Sequence, residues 1–249
     1  MCYIGLFVIF SEIYWPIFPG VAWFWNDWSR VNECSMQAAS PLYQSFNLFL
    51  RAQWLTKYGP KSLTPPPKDK VQVVIEVRAI NPNKQNSHSS ARHIRNLDVL
   101  VKALETLPNV AVIAADFATM PFPEQVKLSH SASIFISMHG AGTTHIFHSA
   151  LGSPNCCALV ELFPDTSVSL YSAQGYGNLA RMFGMHHHRH VSKDGSTSPQ
   201  GTTLDVAEVR RLVEAASKEV TRTPTCLHDV RDPAHVNTMG LPEFFSYSR

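Results

Sequence analysis

Ser133-Ile134-Phe135-Ile136-Ser137-Met138-His139-Gly140-Ala141-Gly142-Thr143-Thr144-His145 decides the fold. Its apolar run predicts a buried strand over 134–138, and the segment 143–151 predicts a helix. Between them Gly140 and Gly142 predict a tight turn, where a missing Cβ permits positive φ or close backbone approach. Thr143 and Thr144 are placed to cap the helix. The unpaired N–H groups and positive dipole end of a helix start favour an anion by about 0.3 to 1 kcal/mol, so phosphate is the natural guest of a cradle made by Gly140, Ala141, Gly142, Thr143 and Thr144. An ordinary tight turn would carry the same pattern, so these residues do not choose a function by themselves.

Outward from this turn, apolar runs predict further strands over 71–77, 110–114, 159–162 and 186–191. Between them lie helical patterns. The segment 91–107 sets Ile94, Leu97, Val101 and Leu104 on one face, and 204–220 does the same with Val206, Val209, Leu212, Val213 and Ala216. The segment 122–131 predicts a short helix, and 168–183 another, weakened by Gly175 and Gly177. Strands alternating with amphipathic helices predict an α/β fold with a doubly wound parallel sheet. An earlier helix over 41–58 ends at Gly59-Pro60, and Pro65-Pro66-Pro67 marks a domain boundary. The expected organisation is a residual N-terminal part with its linker over 1–65, the main domain over 66–224, and a tail over 225–249.

Composition narrows the class. The 249 residues are 45% hydrophobic and 16% charged with a formal net charge of +2, which fits a folded globule and gives no basic field for nucleic acid. The aromatic-rich segment 1–28 is interrupted by Glu12, Pro16 and Pro19, so no run reaches the roughly 18 apolar residues a spanning helix needs. A short signal anchor there is one reading, and buried structure of an N-terminal lobe is the preferred one. Cys2, Cys34, Cys156, Cys157 and Cys226 form no C-x-x-C pair. Cys156 and Cys157 fall in an apolar run and read as core; a Cys34 to Cys226 disulfide is open.

Ligands of doubly wound sheets bind beyond the strand C-termini. There the sequence places Arg78 after the first strand, His139 and the glycine turn after the third, and Glu161 at the end of the fourth. A cation, an anion-binding turn and a carboxylate at one edge describe a nucleotide site. Arg78, with Arg92 or Arg95, would meet phosphate, and Glu161 would meet ribose hydroxyls.

Four ordered motifs then carry a family resemblance: Arg92-His93-Ile94-Arg95-Asn96 running to Leu104, Phe122-Pro123-Glu124-Gln125, Ile134 through Gly142, and Val160-Glu161-Leu162-Phe163-Pro164. From about residue 71 to 223 the chain resembles family 61 glycosyltransferases, in their C-terminal lobe. The resemblance implies a GT-B architecture of two Rossmann-like lobes, the first largely absent here, and inverting transfer of a sugar from a UDP donor to a hydroxyl on a protein or glycan. N-acetylglucosamine is the expected sugar, with a pentose such as xylose as the other choice. It extends the nucleotide-sugar site to Asn96 and implies the lumen of the endoplasmic reticulum or Golgi. The chain departs from the family at Thr143, where a leucine is common, and at Val99, where a glutamate is common.

A base near the acceptor hydroxyl contributes typically about 10² to 10⁴-fold in rate, and His139 and His145 are the nearby imidazoles, His139 the first choice. The His139-Gly140-Ala141-Gly142 run also matches an esterase oxyanion loop, but no G-x-S-x-G elbow accompanies it, and no P-loop occurs. The alternative is a truncated, non-catalytic member that binds a nucleotide sugar. No metal or other cofactor is expected: D-x-D is absent, and Arg78, Arg92 and the helix start would neutralise the diphosphate. His186-His187-His188-Arg189-His190 looks like a metal tract, yet in a strand His186, His188 and His190 share one face while His187 and Arg189 share the other.

Overall fold

Strand β1 (Val71–Val77) begins a five-stranded sheet in which every neighbouring pair is parallel. The protein is seen here in a computed structural model that describes residues 41–64, 66–67, 69–79, 92–149, 157–164, 175–193 and 201–221. The other strands are β2 (Val110–Asp116), β3 (Ile134–Met138), β4 (Ala158–Phe163) and β5 (His186–Val191), in spatial order β2-β1-β3-β4-β5. Parallel strands need crossover connections, and the helices that make them cover both faces of the sheet. The α/β, doubly wound, Rossmann-like expectation is met. In this order the chain reverses its direction of winding between β1 and β3, which is the topological switch point where ligands of such sheets bind.

Alternation of side chains along each strand divides the core in two. Val73 and Ile75, Ile134 and Ile136, and Val160 and Leu162 face one way, against α2 (Leu97–Glu105) and α5 (Val206–Thr221), and are sealed by Leu100, Leu104, Val209 and Val213. Val74, Phe135 and Leu159 face the other way, against the 3₁₀ helix Ala141–His148 and α4 (Gly175–Met182), with Ile146, Tyr176, Leu179 and Phe183. α3 (Phe122–Ser131) adds Leu128 to this second layer. Cys157 is buried there, as its apolar setting suggested, while Cys2, Cys34, Cys156 and Cys226 lie outside the described residues.

α1 (Pro41–Tyr58) lies against α3 and the 3₁₀ helix. The Asn47 amide donates to the Phe147 carbonyl, and the Trp54 ring meets the Phe122 ring edge-on at 5.9 Å. Beneath it His130 Nδ1–H donates to the Thr64 carbonyl at 3.0 Å. Burial pushes His130 down to about 4, and burial with the neighbouring His145 does the same to His148. No helix among the described residues is long and apolar enough to cross a membrane; segment 1–28 lies outside them.

Two predicted helices differ. The segment expected helical from 91 starts only at Leu97, because the chain before it pairs with a distant strand-like segment. Arg95 N–H donates to the Thr202 carbonyl at 2.9 Å and Thr202 N–H to the His93 carbonyl at 2.7 Å, an isolated parallel bridge that occupies the groups a first helical turn would need. The helix after the glycine turn is a 3₁₀ helix. Its Thr143 and Thr144 do not cap it: Thr144 Oγ1 donates back to the Ala141 carbonyl at 2.6 Å, and Thr143 is buried beneath the turn. Of the helix expected over 168–183, α4 accounts for Gly175–Met182, and 168–174 lie outside the described residues.

Candidate functional site

Toward the strand C-termini the second core layer gives way to a polar row. Ser137 of β3 pairs in register with Glu161 of β4, and Glu161 with Arg189 of β5; Glu76 continues the row on β1, one residue beyond the Ile75↔Ile136 pair. By the two-residue period of a strand these side chains share the face of Val74, Phe135 and Leu159. Two carboxylates are therefore buried in the sheet, Glu76 at 5% exposure and Glu161 at 0%. A buried carboxylate is tolerated only when paired and hydrogen-bonded, and each is satisfied differently.

Glu76 accepts a 2.5 Å hydrogen bond from Ser137 Oγ, and the Arg78 guanidinium lies 3.5 Å away. It fills the space under the glycine turn: a Cβ on Gly142 would sit 1.7 Å from Glu76 Oε1. Gly142 is thus required by close approach. Gly140 is required by conformation too, with φ +151, and a Cβ there would lie 2.6 Å from Arg92 Cζ. The inner side of the turn, read as a phosphate cradle, is occupied by the protein's own carboxylate.

Arg92 is half-buried over Gly140, and its guanidinium makes no hydrogen bond or ion pair among the described residues. Burial lowers its pKa, and the charge of Arg78 lowers it further. Two guanidinium groups next to one carboxylate leave positive charge uncompensated at the switch point. Tyr176 lies within the field of both arginines and both glutamates; burial first, then the Glu161 charge, raises its hydroxyl pKa. Arg95 and Asn96 point to other work. Arg95 is exposed, and the Asn96 amide makes a two-way bond with the Leu204 backbone, accepting from N–H at 3.0 Å and donating to C=O at 2.9 Å.

Glu161 is held between two imidazoles. His139 Nδ1 lies 2.6 Å from Oε1 and His187 Nε2 lies 2.9 Å from Oε2. Burial alone would raise this carboxyl; the hydrogen bonds from His139 and then His187 more than offset it and hold the pKa below the ordinary value. With both oxygens occupied and no exposed surface, Glu161 has nothing to offer a ribose hydroxyl, contrary to the sequence expectation. The His139 ring stacks on Phe163 at 4.6 Å and meets Tyr176 edge-on at 5.4 Å, so its plane is fixed.

His145 belongs to a different neighbourhood. Its Nδ1 is 2.8 Å from the Gly142 carbonyl and its Nε2 is 2.9 Å from Gln125 Oε1, while Gln125 Nε2 donates to the Phe117 and Met120 carbonyls. Nδ1 thus stays within the 3₁₀ helix, and Nε2 ties that helix to α3. The structure brings together Arg78, Arg92, His139, Gly140, Ala141 and Gly142 and sets Arg95, Asn96, Thr143, Thr144 and His145 to work within the fold. Glu76, Ser137 and Tyr176 were not singled out by sequence, and His187 was noted only within the histidine tract. Glu76 had a signal, a charged residue inside the apolar run Val73-Val74-Ile75-Glu76-Val77.

The histidine tract alternates as expected. His186 and His188 meet the same Glu219 oxygen of α5 at 3.5 and 2.8 Å, whereas His187 turns to Glu161 and Arg189 lies 4.3 Å over the Phe163 ring. Among the described residues no three or more His, Cys, Asp and Glu side chains group to hold a metal ion.

The model of the family described as Glycosyltransferase 61 matches residues 29–158, just over half of the chain. The chain is 31% identical over 178 residues to the EGF domain-specific O-linked N-acetylglucosamine transferase of Xenopus laevis, covering 64% of this chain and 30% of that protein. To the Mus musculus protein of the same name it is 35% identical over 135 residues, 53% of this chain and 21% of the relative. To that of Drosophila melanogaster it is 25% identical over 232 residues, 87% and 39% of the two chains. The matched region thus spans between a fifth and two fifths of these relatives.

Proposed function

Because the chain belongs to the glycosyltransferase 61 family, we propose that it binds a UDP-sugar at the β1/β3 switch point and transfers the sugar, with inversion, to a hydroxyl of a protein acceptor. The observation that carries this reading is the Arg92 guanidinium against Gly140, with the Arg78 charge acting on it and His139 immediately before the same turn. A diphosphate is the anion that two adjacent arginines suit, each contact being charge-assisted. The relatives' printed name supplies N-acetylglucosamine as the donor sugar and an EGF domain as the acceptor. A GT-B arrangement and the lumen of the endoplasmic reticulum or Golgi complete the proposal.

In the transfer the acceptor O–H bond breaks and its proton passes to His139 Nε2. The acceptor oxygen bonds the anomeric carbon from the side opposite the diphosphate, and the bond to UDP breaks with its electron pair on the leaving oxygen. Arg78 and Arg92 meet the charge that develops there. Donor binding requires no divalent metal in this scheme, since no D-x-D occurs in the sequence and the guanidinium groups neutralise the diphosphate.

Titration calorimetry with UDP, beside a transfer assay from UDP-N-acetylglucosamine to a folded EGF domain, tests the proposal. Binding and transfer by the full chain support it. Binding without transfer favours a non-catalytic nucleotide-sugar-binding member, and affinity unchanged in both Arg78→Ala and Arg92→Ala removes the phosphate site.

A further inference from the structure

We propose that His187, Glu161 and His139 form one positioning relay in which the buried carboxylate fixes the tautomer of His139, leaving Nε2 as the proton acceptor. The proposal rests on the transferase reading above and assigns the carboxylate, and the middle of the histidine tract, work that neither the sequence nor the family membership gives them.

The geometry carries it. A carboxylate accepts and does not donate, so the 2.6 Å contact requires a proton on His139 Nδ1, and the 2.9 Å contact requires one on His187 Nε2. A neutral His139 then has its lone pair on Nε2. When that nitrogen takes the acceptor proton, the resulting imidazolium faces a carboxylate at hydrogen-bonding distance, which stabilises it where solvent is scarce. Phe163 and Tyr176 hold the ring plane, so the orientation does not depend on the single hydrogen bond.

His187 is 7% exposed and does not reach solvent enough to serve as a second base. Its contribution is to the carboxylate. By donating to Oε2 it satisfies the side of Glu161 that His139 does not use, and without it that oxygen would be buried unpaired. The ring is itself located by α4: a Cβ on Gly177 would come within 2.5 Å of His187 Cε1, so the helix backbone lies directly against the imidazole. The charged and titratable groups facing this system are Tyr176 of α4, Arg92 and Arg78 beside the switch point, Glu76 of β1, and Arg189 of β5 over the Phe163 ring.

Glu161 and His187 are positioning residues, because neither touches the reacting atoms. Their test combines the imidazole ¹⁵N shifts of the full chain with kinetics. The shifts should report a protonated Nδ1 and bare Nε2 for neutral His139, and the opposite tautomer for His187. Glu161→Gln should lower kcat by roughly 10² to 10⁴-fold, as loss of an orienting carboxylate does, with UDP affinity unchanged. His187→Leu should lower kcat roughly tenfold, and His187→Gln, which keeps an N–H donor at the same reach, should restore most of it. A proton on His139 Nε2 in the neutral wild-type ring would overturn the relay. So would a Glu161→Gln variant that loses UDP affinity as much as it loses kcat, because the carboxylate would then hold the donor. A wild-type chain that neither binds UDP nor transfers sugar would refute the transferase reading, and the ring shifts would still decide whether the relay exists.

Discussion

Glu76 and Glu161 lie in one register row of one sheet face, two strands apart, and their surroundings do opposite things. Glu76 is met by a guanidinium and a hydroxyl, groups whose charge does not change near neutral pH. Glu161 is met by two imidazoles, the side chain whose charge changes most readily there. The first arrangement is a fixed brace that shapes the glycine turn. The second holds a carboxylate between two imidazoles, each turned to it by one ring nitrogen. Each system is packed against a glycine, Gly142 against the Glu76 carboxylate and Gly177 against the His187 ring. Burial of an acid in a sheet therefore does not define its role; the chemistry of its partners does.

The largest expected effect lies on the brace. Gly142→Ala drives a methyl into a buried carboxylate that has no room to move, and should destabilise the fold by about 3 kcal/mol, read as a shift in urea midpoint. Gly177→Ala meets the rim of the His187 imidazole instead, at 2.5 Å rather than 1.7 Å, where the ring can shift slightly while keeping its bond to Glu161, and should cost about 1 kcal/mol. Equal losses at the two positions would erase the distinction between a fixed and an adjustable support.

Histidines buried without a carboxylate supply the next test. His130 and His148 are held near 4 by burial, below the ordinary 6.5. The unfolded chain takes up these protons first as pH falls, so the stability is fully present above about 6.5 and is lost through the folded value near 4. Each histidine accounts for at most on the order of 3 kcal/mol across that window. Urea midpoints measured from pH 7 to pH 4 should fall, and His130→Gln should flatten the slope. A midpoint independent of pH in this range would show that the two rings are hydrated.

The two arginines sharpen the comparison from the binding side. Arg92→Ala should weaken UDP binding by roughly ten- to a hundredfold, for a contact of about 1.5 to 3 kcal/mol, with little change in stability. Arg78→Ala should weaken binding and also lower the urea midpoint, because Glu76 loses its counter-charge. If both variants are equally stable, Glu76 is braced by Ser137 alone. The smallest expected effect is that of chelation: exhaustive EDTA treatment should leave UDP affinity unchanged, and a loss restored by Mn²⁺ would bring a metal into the donor site.

The strands, the parallel α/β class and the concentration of chemistry at one sheet edge were determined by the sequence alone. Strand and helix periods are local properties of the backbone, so the apolar run of β3 and the spacing of Leu97, Val101 and Leu104 carry them without reference to the rest of the chain. What only the tertiary structure decided is which buried acid meets which donor. Glu161 and His187 are 26 residues apart and become partners because β4 pairs with β5. Glu76 comes under Gly142 because β1 lies beside β3 rather than at the sheet edge. The first turn expected of α2 is lost for the same reason, as its backbone groups find Thr202 first. Strand order and register are global, and they alone settle how a desolvated carboxylate, a guanidinium or a backbone N–H finds the partner that makes its burial affordable.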